Sequence, residues 1–106
     1  MNDCSVEQQG DFALVRVRGE VDLSWSQKVR KTILDALSKA KGVGVELSEV
    51  SYIDSSGIAA LVEGFQNARG KGQTFVLVEV SDAVLAVLKL ARLDKVFAIR
   101  ASLAEA

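Results

Sequence analysis

Residues 52–61, YIDSSGIAAL, place an acid, two hydroxyls and a glycine where an apolar run gives way to a helical pattern. Upstream, VGVEL (43–47) is a short apolar run bounded by polar residues, which predicts a central strand. Downstream, Ile58, Leu61, Val62 and Phe65 recur at i, i+3, i+4, i+7, predicting a helix over about 57–69 that Gly70 and Gly72 close. The junction is therefore strand, loop, helix. Further on, TFVLVEV (74–80) predicts a buried strand, and Ser81 caps a helix in DAVLAVLKLAR (82–92). KVFAI (95–99) offers a last short strand before a helical tail. Towards the N-terminus, FALVRVRG (12–19) sets Leu14, Val15 and Val17 against Arg16 and Arg18, as in a half-exposed strand. CSVEQQ (4–9) pairs with it through a Gly10-Asp11 turn. Ser24 reads as an N-cap with Gln27 in the reciprocal position. Trp25, Val29, Ile33, Ala36, Leu37 and Ala40 then define a helix over 25–40 that Gly42 ends. Strands that alternate with helices imply parallel pairing, and the early hairpin makes the sheet mixed: an α/β fold.

With 106 residues and 49% hydrophobic side chains, the chain has the size and apolar content of one ordinary domain. A net charge of −1 gives no basic face for nucleic acid or an anionic membrane. Cys4 is the sole cysteine, which excludes an internal disulfide or thiolate cage and suits a reducing compartment; it reads as an ordinary strand residue. The start does not resemble a signal peptide, and the apolar stretches are too short to cross a bilayer. The expectation is a cytoplasmic domain, monomeric when free. There is no histidine, so the commonest general base and the Ser-His and Cys-His pairs are absent. No spacing of carboxylates or lysines proposes another mechanism, so an enzyme is not expected and neither catalytic residue nor cofactor is assigned.

Two readings of Asp54, Ser55, Ser56 and Gly57 follow from the junction. The simpler is capping: an oxygen of Asp54 or Ser55 accepts from first-turn amides that have no intrahelical partner. The other is modification, because a helix start favours anions and a phosphoryl group on Ser55 would add about two negative charges beside Asp54 without melting the helix. If the apolar stripe points inward, Ala59, Ala60, Glu63, Gln66 and Asn67 point outward with Gly64 at the edge. That makes a flat face for a partner, unless Gly64 relieves crowding against a neighbour. GEVD (19–22) precedes the first helix, so Glu20 and Asp22 are expected to share one rim with Asp54 and Ser55. Such a rim has the chemistry for a cation, but loop carboxylates are more often solvated turn residues and no metal is assigned.

Taken together, these stretches resemble the STAS domain family, and within it the bacterial anti-sigma factor antagonists. RVRGEVDLSWSQKVRKTI is similar to the family's strand, G-E-[LV]-D loop and first helix. VELSEVSYIDSSGIAALVEGFQNARGKG is similar to its strand, D-S-[ST]-G motif and second helix, and FVLVEVSDAVLAVLKLARLDKVFAI to its closing elements. The resemblance implies a single STAS domain over 1–106, with four to five strands and helices mainly on one face. It also implies partner switching: the unphosphorylated chain binds an anti-sigma factor that is a serine kinase, the kinase phosphorylates Ser55, and a PP2C-type phosphatase reverses this. Asp54, Ser56 and Gly57 fill the neighbouring motif positions and Asp22 contributes to the kinase-facing surface. ATP and Mg²⁺ belong to the kinase. A second implication is a cytoplasmic subunit of an ABC-type lipid transporter, since STAS-like domains also dock on transporters. The chain departs from the pattern in ARLDK (91–95), where members often carry a glycine, and in Glu46, where an aspartate is common.

Overall fold

The structure, a computed structural model, describes residues 2–105, with the backbone alone at Glu105; Met1 and Ala106 of the expected domain lie outside the described residues. Five strands and three helices alternate after an initial hairpin: β1 (Asp3–Gln9), β2 (Phe12–Val21), α1 (Leu23–Leu37), β3 (Gly42–Ile53), α2 (Ser55–Gly70), β4 (Thr74–Val78), α3 (Asp82–Leu90) and β5 (Ala98–Arg100). A short 3₁₀ turn over Leu103–Glu105 follows. The sheet runs β1-β2-β3-β4-β5, antiparallel at β1–β2 and parallel elsewhere, with β3 at its centre.

Alternation along the strands sorts side chains between two faces. Val15, Val17, Val43, Val45, Leu47 and Leu77 face the helices and join Val29, Ile33 and Leu37 of α1, Leu61 of α2, and Val84 and Leu88 of α3 in one core. All three helices therefore contribute to the same side. On the other face Leu14, Val76 and Val78 are covered by Leu103 of the terminal turn, with Phe12 and Ala98 at the margin. Leu103 fits there because residue 44 is glycine: a Cβ on Gly44 would lie 2.7 Å from the Leu103 side chain. Beyond this patch the face is polar, and Arg16 lies between Glu7 (2.6 Å) and Glu46 (3.5 Å) on the flanking strands.

The elements depart from the sequence expectations in four places. α1 starts at Leu23 with Asp22 as its cap, because the Asp22 carboxylate accepts from the Ser24 amide at 3.0 Å and from its hydroxyl at 2.6 Å; Ser24 lies inside the helix. The helix stops at Leu37, and Gly42 opens β3 rather than ending α1. β3 continues to Ile53, its polar positions Ser48, Glu49, Ser51 and Tyr52 being the exposed ones. β5 begins only at Ala98, as the preceding residues form the turn out of α3. That turn explains the departure at ARLDK. Arg92 has φ +60°, its N–H donates to the Lys89 carbonyl at 3.0 Å, and the Leu93 N–H reaches Leu88 at 2.8 Å. α2 closes with the same two bonds, but there the left-handed residue is Gly72, φ +68°.

Candidate functional site

β2 and β3 are parallel neighbours, with Val21 beside Ile53 and Glu20 beside Tyr52, and the Asp54 amide donates to the Val21 carbonyl at 3.2 Å. The following residues of both strands therefore emerge at one rim. Glu20, Asp22, Asp54 and Ser55 are brought together there, as their order in the chain predicted.

Asp54 is the N-cap of α2. Its Oδ1 accepts from the Ser56 amide at 2.9 Å, the Gly57 amide at 3.2 Å and the Ser56 hydroxyl at 2.5 Å. The hydroxyl bond, helped by the amides of Gly57, Ser56 and Leu23, holds the Asp54 carboxyl below its ordinary range against a partial loss of solvent. The two serines thus have different duties. Ser56 is half-buried and its hydroxyl is committed to Asp54. Ser55 is the first helical residue and exposed, and among the described residues no hydrogen bond engages its hydroxyl. Of the two oxygens that capping could have used, the helix takes the carboxylate and leaves the Ser55 hydroxyl open.

Gly57 is buried because α2 starts hard against the strand ends. A Cβ there would stand 2.6 Å from Ile53, 2.8 Å from Val21 and 3.0 Å from the Val21 carbonyl. Glycine at this position seats the helix so that Ser55 lies on the rim.

The expected partner face of α2 is corrected. The helix is rotated, burying Gly57, Ala60, Leu61, Gly64 and Ala68, while Ile58, Val62 and Phe65 flank the contact half-buried. Ala60 is 4% exposed, so it does not line a docking face. Gly64 is not at an edge: a Cβ would lie 2.7 Å from Ile33 of α1 and 3.0 Å from Phe75 of β4, so this glycine relieves crowding. Small residues let α2 lie close to α1 and the sheet, and Phe65 is displaced sideways to meet Phe97 edge-on at 5.5 Å. Glu63 is tied by two contacts, 2.6 and 2.9 Å, to Arg30 of α1, and that guanidinium holds its carboxyl below the usual range. Ala59, Gln66 and Asn67 are exposed, as expected.

Two exposed apolar residues at this rim were not singled out from the sequence: Leu23, 72% exposed, and Tyr52, 48% exposed. The readable signal is the spacing Asp-x-Ser, present at 22–24 and again at 54–56, which makes Leu23 the counterpart of Ser55. Among the described residues no group of three or more Cys, Asp or Glu is arranged to hold a metal ion. No helix among them is long and apolar enough to cross a membrane.

The STAS domain family model matches residues 3–106. The anti-sigma-B factor antagonist of Listeria monocytogenes is 28% identical over 96 residues, covering 89% of this chain and 83% of that protein. A crystal structure of an anti-sigma factor antagonist from Mycobacterium paratuberculosis superposes with a TM-score of 0.88 at 24% identity, covering 99% of this chain and 90% of that one. The Bacillus cell fate determinant SpoIIAA in its phosphorylated form gives a TM-score of 0.76 at 18% identity, covering 97% and 95%. At these identities the two structures establish the fold.

Proposed function

The chain belongs to the STAS domain family, and on that premise we propose that it is an anti-sigma factor antagonist switched by phosphorylation of Ser55. Its homologues include anti-sigma factor antagonists, which are non-enzymatic STAS proteins. The observation that carries the reading is the division of labour at the α2 start, where Asp54 and Ser56 complete the cap and the Ser55 hydroxyl stands exposed and unengaged.

On this reading residues 1–106 are one STAS domain of the cytoplasm. The unmodified rim, with Glu20, Asp22, Asp54, Ser55, Leu23 and Ala59, docks on an anti-sigma factor that is also a serine kinase. The kinase brings ATP and Mg²⁺, and the Ser55 oxygen attacks the γ-phosphorus as ADP leaves. The amides of Ser56 and Gly57 are already taken by Asp54, so the new phosphate is not absorbed into the helix start. It stands outward with about two negative charges beside a carboxylate and opposite the nucleotide's own phosphates. Repulsion and bulk then separate the partners, with the fold unchanged. A PP2C-type phosphatase restores the binding form. A homologous fold is known in a phosphorylated form, in SpoIIAA, which supports the chemistry.

The test is phosphosite mapping by mass spectrometry after incubation with host lysate and Mg-ATP, followed by identification of co-purified proteins. A single phosphate on Ser55 and a small serine kinase with its sigma factor are expected. A phosphate on Ser56, or none, overturns the switch. Recovery of an ATPase and a permease replaces it with the transporter subunit.

A further inference from the structure

We propose that the turn after β5 is a strap with a single latch, Leu103, which lifts off the helix-free face of the sheet and returns while the strands and helices stay folded. The chain leaves the ladder at Arg100, whose carbonyl accepts from the Glu79 amide at 2.9 Å. Beyond that bond, among the described residues, no hydrogen bond joins residues 101–104 to the sheet. Ala101, Ser102 and Ala104 are exposed, and only Leu103 is buried. It reaches past β4 to sit above Gly44 of β3, packed with Leu14, Val76 and Val78. One side chain therefore holds the whole crossing.

The gain from burying one leucine is largely offset by the entropy of fixing the residues that carry it. With no hydrogen bond to the sheet in return, the closed form is only slightly favoured, which is the condition for local opening. Nor is the turn wedged in place. Grooves of about 320 and 290 Å³ open beside Leu103 and Ala104, the first lined by Gln9 and Phe12, the second reaching Arg16, Glu46 and Glu79. Arg16 is engaged by Glu7 and Glu46, so it does not hold the turn. The helix side has no such freedom. Each helix lies between two strands of the ladder in the chain, so none lifts without pulling on the sheet. The turn follows the last strand and is joined to the ladder through Arg100. Open, it bares Leu14, Val76 and Val78, with Phe12 and Ala98 at their margin: an apolar strip from β2 to β5 with a notch at Gly44 the size of one leucine side chain.

Thiol labelling of the folded full chain tests this. In a Cys4→Ser background, Val78→Cys places a thiol under the strap, and Val45→Cys places one under the helices on the opposite face. With an aromatic disulfide reagent, Cys at 78 is expected to react at least about tenfold faster than Cys at 45, because it waits only for the strap. Below the unfolding transition, urea is expected to leave the rate at 78 nearly flat and to raise the rate at 45 steeply, since the slope follows the surface exposed on opening. Equal rates with equal urea dependence place the turn in the cooperative core and overturn the proposal. Should Val78→Cys not fold, Val76→Cys carries the same measurement. Leu103→Asp in the wild-type chain is expected to keep the far-ultraviolet circular dichroism of the sheet and helices, and loss of that spectrum overturns the proposal. Added to the Val78→Cys chain, it brings labelling close to the rate of an unprotected thiol. A rate at 78 unchanged by Leu103→Asp overturns the assignment of Leu103 as the latch.

Discussion

Two neighbouring strands in this molecule end in the same way and serve different purposes. β2 runs into α1 through Asp22-Leu23-Ser24-Trp25, and β3 runs into α2 through Asp54-Ser55-Ser56-Gly57. The two aspartates have nearly identical backbone angles, φ −103° and ψ −174° against φ −106° and ψ −172°. Each carboxylate takes the amide and hydroxyl of the serine two residues on. The helices differ at their first and third positions. The first is an exposed leucine in α1 and an exposed serine in α2; the third is Trp25, packed against the core, and Gly57, which a Cβ would crowd. Capping is thus complete in both without the first residue. What occupies that position is free to answer to something outside the fold.

The sharpest way to probe this difference is Ser55→Leu, which gives α2 the first residue of α1. Phosphate incorporation is expected to vanish while thermal or urea denaturation moves by no more than about 0.5 kcal/mol, since the side chain bonds nothing in the cap. A large loss of stability would show that Ser55 has a structural duty after all. Gly57→Ala attacks the other distinguishing position. The added methyl group meets Ile53, Val21 and the Val21 carbonyl, and a cost of about 1–3 kcal/mol is expected by equilibrium denaturation. Asp22→Ala removes the cap of α1 and is expected to cost about 1 kcal/mol by equilibrium denaturation.

The smallest effect concerns acid. Asp54 has a folded-state pKa below its unfolded value, chiefly through the Ser56 hydroxyl, so its charged form contributes stability above the unfolded pKa and loses it as pH falls through the folded one. Urea denaturation of wild type and Asp54→Asn between about pH 7 and about pH 3 is expected to show a shallower loss in the variant, which keeps a cap acceptor but has no proton to gain.

Much of this was legible in the sequence, for identifiable reasons. The order of elements followed from apolar runs alternating with helical stripes, and the rim followed from parallel strands whose loops leave by the same edge. The cap of α1 was misplaced because Asp22 and Ser24 are both good caps two residues apart, and only the carboxylate's reach back to the Ser24 amide decides between them. The buried face of α2 was misread because apolar size guided the choice, whereas contact between close elements selects Gly57, Ala60 and Gly64 for their lack of bulk. Glu63 looked free because Arg30, thirty-three residues earlier, is its neighbour only once α1 and α2 are packed. The motif residues Asp54 and Ser55 were readable because their relation is local.

The seating of Leu103 in the notch above Gly44 bears on how the molecule is made. Each strand lies beside the one before it in the chain, so a nascent polypeptide can add them one after another as they leave the ribosome. The apolar patch of Leu14, Val76 and Val78 has no such early partner: its cover comes from residues that follow all five strands in the chain. Until those emerge, that patch is open to water and to chaperones, and the Ser55 rim can already be in place before the opposite surface is sealed.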